Sequence, residues 1–357
     1  DLVGALERVV EGGDVAAALA GLAPPQPGYA RLREALARYR ALAEAREWGE
    51  IPGGPTLRRG DRDPRVVALR ARLAATGEIV AAPSAEAEVF DEALAEALRG
   101  FQRRHGLDAD GVLGARTQAA LDVSARERAR QIAANLERWR WLPRDLGARH
   151  VLVNVAAFEL EVVEGEVPVL GMRVVVGRPY RRTPDFSDRI RYLVLSPYWH
   201  VPPGIAARDV LPAARKDAGY LEKRAIRVLE GWGADAREVD PRTIDWSAVT
   251  PATMRFRFRQ DPGPDNQLGR VKFMFPNEFD VYLHDTPARR LFERSERDFS
   301  SGCIRVEKPV ELAEHLLRGS DWTRERILAA MARGVEQTVR LPEPVPVHLL
   351  YWTAFAG

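Results

Sequence analysis

The feature that most constrains the fold is a change of hydrophobic period near residue 148. Before it, apolar residues recur every three or four positions, as in Tyr29, Leu32, Leu36, Tyr39 and Leu42, or Ile132, Leu136, Trp139 and Leu142. That spacing builds one face of an amphipathic helix. After it, β-branched residues alternate with others through 151–155, 158–163 and 190–195, the pattern of half-buried strands. A chain of 357 residues is also long for one core, so two or three domains are expected. The expectation is an α+β multidomain protein whose helical half precedes a mostly-β half.

Local signals divide the helical half further. Leu2, Ala5, Leu6, Val9 and Val10 fall at helical spacing, and Asp14 reads as the cap of a second short helix. The Pro24 to Gly28 cluster breaks the chain, and residues 51–55 read as a linker. Asp63-Pro64 signals a helix start and Gly77 its end. An alanine- and glutamate-rich stretch follows to residue 88. Phe90-Asp91 opens a helix carrying Leu94, Leu98 and Phe101, and a last short helix carries Thr117 and Leu121. The long helix with Trp139 and Trp141 stops at Pro143.

In the second half, Glu164-Gly165 marks a hairpin and residues 167–176 continue as strand. Residues 196–270 read as irregular, rich in proline and aromatics, with helical pieces around 207–214 and 218–224 and with Trp232 and Trp246 among Gly, Asp and Pro. A long insertion of this kind between strands is expected to act as a lid. Strand resumes at 270–275 and 281–284, a helix is expected over 310–317, and the proline-rich tail at 341–354 reads as a loop and a final strand.

Charge excludes one class of partner. The formal net charge is +2, with basic and acidic residues interleaved, so no nucleic-acid partner is expected. No run reaches the roughly 18 apolar residues of a spanning helix. The chain opens at Asp1 rather than Met, which reads as a processed or trimmed product, with a cleaved export signal or an inner-membrane anchor upstream as the two expectations.

The chemistry concentrates on residues 299–306, Phe-Ser-Ser-Gly-Cys-Ile-Arg-Val, which hold the only cysteine, Cys303. A lone cysteine forms no internal disulfide, and no cluster of Cys and His surrounds it, so neither a metal nor a cofactor is expected. An inert thiol and a nucleophile remain, and the neighbours favour the nucleophile. Ser301 and Gly302 are small enough to admit a carbonyl, and Arg305 brings charge that favours thiolate. His284 lies nineteen residues upstream, and a Cys/His pair joined in space is a recurring acyl-transfer arrangement.

Two resemblances follow from quoted residues. Leu57-Arg58-Arg59-Gly60-Asp61, Phe101-Gln102-Arg103-Arg104-His105-Gly106-Leu107 and Asp110-Gly111-Val112-Leu113-Gly114-Ala115-Arg116-Thr117 resemble the small three-helix peptidoglycan-binding module. Residues 78–89 stand as an inserted loop within it. Tyr282-Leu283-His284-Asp285-Thr286 with Ser300-Ser301-Gly302-Cys303-Ile304-Arg305 resembles the L,D-transpeptidase (YkuD-type) catalytic domain. Ser301 stands where the common motif has a second histidine, a departure shared with the large periplasmic YcbB-type members. Similar to that branch, too, are Ser196-Pro197-Tyr198-Trp199 with Val201-Pro202-Pro203, and Pro262-Gly263-Pro264-Asp265-Asn266 with Leu268-Gly269 and Val271-Lys272-Phe273.

The resemblance implies three domains: a helical scaffold from 1–53 and 123–147, the peptidoglycan-binding module at 54–122, and a catalytic domain at 148–357 with a substrate-capping insertion at about 196–270. It implies a Cys303 thiolate that attacks the carbonyl of diaminopimelate, a residue with a side-chain amine and carboxylate, at the third position of a donor tetrapeptide stem, releases D-alanine and passes the acyl group to the side-chain amine of an acceptor stem as a 3→3 cross-link. His284 is then the base, and N–H groups near Gly302 and Cys303, with the Tyr282 hydroxyl, are the oxyanion donors. Arg305 reads as a loop brace ahead of a substrate contact, Ser301 as a turn former, and Tyr198 and Trp199 as cleft lining. Asp285 is not expected to orient His284 through its side chain, because adjacent strand residues face opposite ways. Expected partners are peptidoglycan stems, carbapenems that acylate Cys303, and cell-wall synthesis proteins, in the periplasm. Alternatives are an L,D-carboxypeptidase, a non-catalytic wall-binding protein, and a papain-like protease, whose Cys-before-His order is reversed here.

Overall fold

The computed structural model describes residues 2–12, 14–45, 49–80, 86–217, 219–231 and 236–356. Trp232, residues 81–85 of the alanine-rich stretch, and the side chains of Leu2, Ala5 and Leu6 lie outside the described residues. The chain divides into two compact units, Asp1–Asp145 with Tyr351–Gly357, and Leu146–Leu350. The last seven residues thus join the helical unit, not the β-rich domain that was expected to run to 357. Trp352 stacks on Trp139 at 4.1 Å, and Thr353 N–H donates to Asn135 at 2.9 Å, which fixes the tail there.

The described elements of the first unit are helices, joined by two isolated bridges, Leu57 with Leu113 and Arg62 with Val89: α1 (Leu2–Gly12), α2 (Val15–Leu22), α3 (Pro27–Ala45), α4 (Arg65–Ala75), α5 (Glu92–Arg104), α6 (Ala115–Asp122) and α7 (Ala125–Arg140). Caps start the helices where short polar residues stand. Asp14, Asp91 and Ser124 accept from the N–H three residues on, at 2.9, 2.8 and 3.1 Å. Asp63 caps α4 by accepting from Arg65 N–H at 2.9 Å. Helices α4 and α5 share a core of Val66, Leu69, Leu73, Leu94, Leu98 and Phe101, joined by Leu113 and Leu121.

In the second unit the strands are β1 (Arg149–Asn154), β2 (Glu159–Glu164), β3 (Val167–Val175), β4 (Phe186–Leu195), β5 (Trp199–His200), β6 (Ile226–Glu230), β7 (Arg237–Val239), β8 (Phe256–Gln260), β9 (Val271–Met274), β10 (Leu283–His284), β11 (Ile304–Val306) and β12 (Gln337–Leu350). Among the described residues a closed barrel forms in the order β1-β12-β4-β9-β10-β11-β3-β2. Closure removes the unpaired edges an open sheet would present. The hairpin between β2 and β3 turns at Gly165, whose φ is +62°. Inward residues such as Val153, Leu193, Phe273, Leu283, Ile304 and Val306 are fully buried. Helices α11 (Pro309–Leu316) and α12 (Arg324–Ala332) add Leu312, Leu316, Ile327 and Met331 to the same core.

Two expectations needed correction. The proline-rich tail is one long strand, β12, not a loop followed by a strand. Its pairing with β4 breaks between Arg340 and Val345, so Pro342 and Pro344 sit where no ladder donor is required. The insertion at 196–270 is not irregular. It holds a four-stranded antiparallel sheet in the order β5-β8-β6-β7. Short helices α8 (Pro203–Ile205), α9 (Leu211–Lys216) and α10 (Tyr220–Lys223) accompany it, α8 and α9 joined by a π turn over Ala206–Val210. Val201, Val210, Leu211, Val228, Trp246 and Phe258 give it a core of its own. The alternation Ile-Arg-Val-Leu at 226–229 and Phe-Arg-Phe at 256–258 carried that signal.

The insertion leaves and rejoins the barrel through a tied neck. Ser196 N–H donates to the Arg270 carbonyl at 2.8 Å, and buried Asn266 donates to the carbonyls of Pro197 and Asp261, both at 3.0 Å. Truncating Phe258 to Ala is expected to destabilise the insertion by about 3–5 kcal/mol. Limited proteolysis should then cut within 199–260 while the barrel survives; cleavage spread evenly over both would contradict a separate core.

Candidate active site

The site is built from one strand pair. Strands β10 and β11 run parallel, with Leu283 opposite Ile304 and His284 opposite Arg305. Leu283 and Ile304 point into the barrel core and are fully buried. Alternation therefore sends Tyr282, His284, Cys303 and Arg305 to the other face together. All four line a cavity of about 860 Å³, as do the insertion's Tyr198 and Trp199.

Backbone constraints shape the cysteine loop. Gly302 has φ +120°, a conformation that side chains rarely adopt. Its carbonyl accepts from Thr183 Oγ1 at 2.8 Å, and the Gly177 N–H donates to that same oxygen at 2.9 Å. A Cβ at Gly177 would run into the Arg181 carbonyl, so the loop 177–183 closes only around glycine. Ser300 Oγ donates to the Cys303 carbonyl at 2.5 Å and accepts from Gly302 N–H at 3.1 Å. The Gly302 N–H expected to serve as an oxyanion donor is thus already bound. Among the described residues the main-chain N–H groups of Ser301 and Cys303 have no acceptor.

His284 is buried and aimed by the main chain. Its Nδ1 lies 2.5 Å from the Asp285 carbonyl oxygen. A carbonyl only accepts, so Nδ1 carries the proton and Nε2 keeps its lone pair. The Asp285 side chain turns away, accepting from Arg270 N–H at 2.9 Å and from Arg289 at 3.3 Å. Burial drives the His284 pKa down to about 3, Arg305 and Lys272 push the same way, and the Asp285 carbonyl opposes them.

The thiol is not a ready-made thiolate. Cys303 is half-buried, and burial raises its pKa above the ordinary thiol value. Hydrogen bonds from Tyr282 and the charge of Arg305 pull it back only in part. The sequence-based expectation that Arg305 makes a thiolate is therefore outweighed by desolvation. The Tyr282 phenol is raised too, by burial first and then by Cys303.

The remaining expected residues divide. Ser301 Oγ accepts from Arg181 Nη1 at 2.8 Å, and Arg181 also donates to Asp209 of the insertion at 2.9 Å. Tyr198 lies under Arg259, 4.5 Å from the ring centre, and its N–H donates to Glu336 at 2.7 Å. Trp199 pairs with Gln260 in the insertion sheet. Arg305 was expected to brace the loop, yet among the described residues its Nε is buried without a hydrogen-bond partner. Thr183 and Arg181 were not foreseen, and Lys272 was read only as part of the 271–273 motif, with no role at the site. Only Lys272 carried a usable signal, a lysine between buried Val271 and Phe273 and level with His284.

The model of the L,D-transpeptidase catalytic domain, YkuD, matches residues 148–328, and that of a peptidoglycan binding domain matches residues 62–121. The first match spans just over half of the 357 residues, and the chain belongs to the L,D-transpeptidase family. A Haemophilus influenzae protein assigned to the L,D-transpeptidases is 34% identical over 225 residues, 63% of this chain and 45% of the relative. The chain thus matches under half of that relative's length. An L,D-transpeptidase of Stackebrandtia nassauensis is 14% identical, covering 84% of this chain and 97% of its own, with a TM-score of 0.31. L,D-transpeptidase 3 of Mycobacterium tuberculosis, described in complex with a faropenem-derived adduct, is 14% identical over 57% of this chain and 60% of its own, with a TM-score of 0.28. Those two scores are too low to bear on function.

Two pH dependences follow. Iodoacetamide alkylation of Cys303 should keep rising with pH beyond the ordinary thiol range, because its pKa is raised. Arg305→Gln should move the inflection higher still; an inflection below the ordinary value would contradict this account. The folded pKa of His284, about 3, lies below its ordinary 6.5, so the unfolded chain binds that proton first. Its contribution to stability is complete above about pH 6.5 and is lost as pH falls toward 3. Urea denaturation across that window should show a shallower pH slope in His284→Gln.

Proposed function

We propose that this chain forms 3→3 cross-links between peptidoglycan stem peptides through a Cys303 acyl-enzyme. The observation that carries the reading is the shared face of β10 and β11, which turns Tyr282, His284, Cys303 and Arg305 together into a cavity of peptide size. Family membership supports the reaction class, and the match to a peptidoglycan binding domain supports the substrate.

The resting pair is neutral, so the proton moves as the bond forms. Cys303 Sγ attacks the carbonyl of the third residue of a donor tetrapeptide while His284 Nε2 takes the thiol proton. The S–C bond forms, the C–N bond to D-alanine breaks, and His284 returns the proton to the leaving amine. An acceptor amine then attacks the thioester, gives its proton to His284, and the S–C bond breaks to restore the thiol. The N–H groups of Ser301 and Cys303 are the oxyanion donors in this reading, with the Tyr282 hydroxyl beside them; losing one such donor costs about 2.7–4 kcal/mol in the barrier. Tyr198 and Trp199 form the wall against which the stem lies. A neutral imidazole held with Nε2 free suits a base that must accept a proton without first releasing one. The site acts in the periplasm in this reading, where its wall substrate is found.

Cys303→Ala should abolish D-alanine release from tetrapeptide stems while leaving the fold intact; unchanged release would overturn the nucleophile assignment. His284→Gln should lower turnover by about 10²–10⁴. Intact-protein mass spectrometry after carbapenem exposure should show one adduct, absent from Cys303→Ala. With donor and acceptor stems together, a cross-linked dimer supports transfer, whereas trimmed tripeptide alone supports the carboxypeptidase.

A further inference from the structure

The cavity is strongly cationic. Seven Arg and Lys side chains line it against two carboxylates, Asp209 and Asp280, and Asp209 is already paired with Arg181. Two of the cations stand in register with the imidazole. Lys272 on β9 is opposite His284, and His284 is opposite Arg305. Cross-strand partners share a face, so the row reads lysine, histidine, arginine across neighbouring strands, at about 4.8 Å per step.

Neither cation is neutralised from within. Among the described residues neither Lys272 nor Arg305 has a carboxylate at ion-pair distance, and Arg305 Nε is buried without a partner. Among the described residues the Lys272 Nζ lies over the Tyr282 ring, 6.0 Å from its centre, with no acceptor at hydrogen-bond distance. Glu336, whose charge it feels, receives the Tyr198 N–H instead. Burial lowers the basicity of both cations, the mark of charges held partly out of water. Unpaired cations in a cavity wall are a site for an anion.

Position says which anion. Arg305 lies two residues from Cys303 on the same face, about 6.7 Å along the strand. The carboxylate of the leaving residue, one residue on from the carbonyl under attack, lies about 3.8 Å from it, and a side-chain carboxylate of the third residue lies a few bonds further out along a flexible chain. We propose that Arg305 and Lys272 together form the subsite for a free carboxylate of the donor, borne within one residue of the scissile carbonyl, and that this charge selects the donor. The inference rests on the acyl-transfer reading above. Two groups of a stem fit: the terminal carboxylate of the leaving residue, and the side-chain carboxylate of the third residue. Docked there, either one offsets the two charges that depress His284, so the base gains proton affinity as the donor arrives.

Three donors test this with the full chain: the free-acid tetrapeptide, its C-terminal carboxamide, and its third-residue side-chain carboxamide. The native protein should lose roughly ten- to a hundredfold in kcat/KM on one amide, which identifies the carboxylate read. Arg305→Gln should bring acid and amide to near parity by slowing the acid. Arg305→Lys should restore part of the preference, and Lys272→Met should weaken it. Equal use of all three donors by the native protein would overturn the subsite. Calorimetric binding of the same peptides to Cys303→Ala gives a readout without turnover. If the acyl-transfer reading itself fails, no donor yields a thioester, yet the acid-over-amide binding preference is still measurable. If only the subsite fails, thioester forms equally from acid and amide, and binding shows no preference.

Discussion

Everything at the site depends on the parallel pairing of β10 with β11. Parallel neighbours cannot be joined by a tight turn; the chain must cross over and return to the same end. Here the crossover runs through 285–303 and brings Cys303 back beside Tyr282, with the Ile304 N–H donating to the Tyr282 carbonyl at 3.1 Å. The same ladder buries Leu283 and Ile304 in the barrel. A one-residue slip would send those two into the cavity and the thiol and imidazole into the core. Hydrophobic burial on one face therefore holds the chemistry in register on the other.

Burial also decides the charge state of the site. A water-exposed cysteine beside an arginine would ionise readily, but here desolvation outweighs that attraction. Burial, with the charges of Arg305 and Lys272, likewise favours the neutral imidazole, and the bond at Nδ1 leaves Nε2 to accept a proton. The site thus starts as a neutral thiol and a neutral imidazole. In the proposed acyl transfer, charge would develop only as a bond forms, beside the N–H groups of Ser301 and Cys303.

The insertion is a folded element with its own core, tied at the neck by Asn266 and touching the cysteine loop through Arg181. That guanidinium joins Asp209 to Ser301, the position where a second histidine would stand in the common motif. Losing that histidine leaves His284 as the base candidate. The serine takes up a bond to a residue that also holds the insertion. The motif at 262–266, singled out for its resemblance, serves as part of the neck, because its asparagine ties both ends of the insertion.

The sequence by itself determined the α-to-β change at 148, the helix caps at Asp14, Asp63 and Asp91, the three-helix module, and Cys303 with His284. These are local facts: a period of 3.6 or 2, a short polar residue before a helix, a glycine beside a thiol. What only the tertiary structure decided depends on partners distant in the chain. Pro342 and Pro344 looked like a loop because proline lacks a donor; they are tolerated in β12 because the ladder breaks there. The Gly302 N–H looked free until Ser300 folded back onto it. Arg305 looked like a brace, but no acceptor stands near its Nε. Lys272 acquires meaning only through its register with His284. Pairing register and burial are long-range properties of the closed barrel, and they set which polar groups are satisfied, which are charged and which are left to meet a substrate.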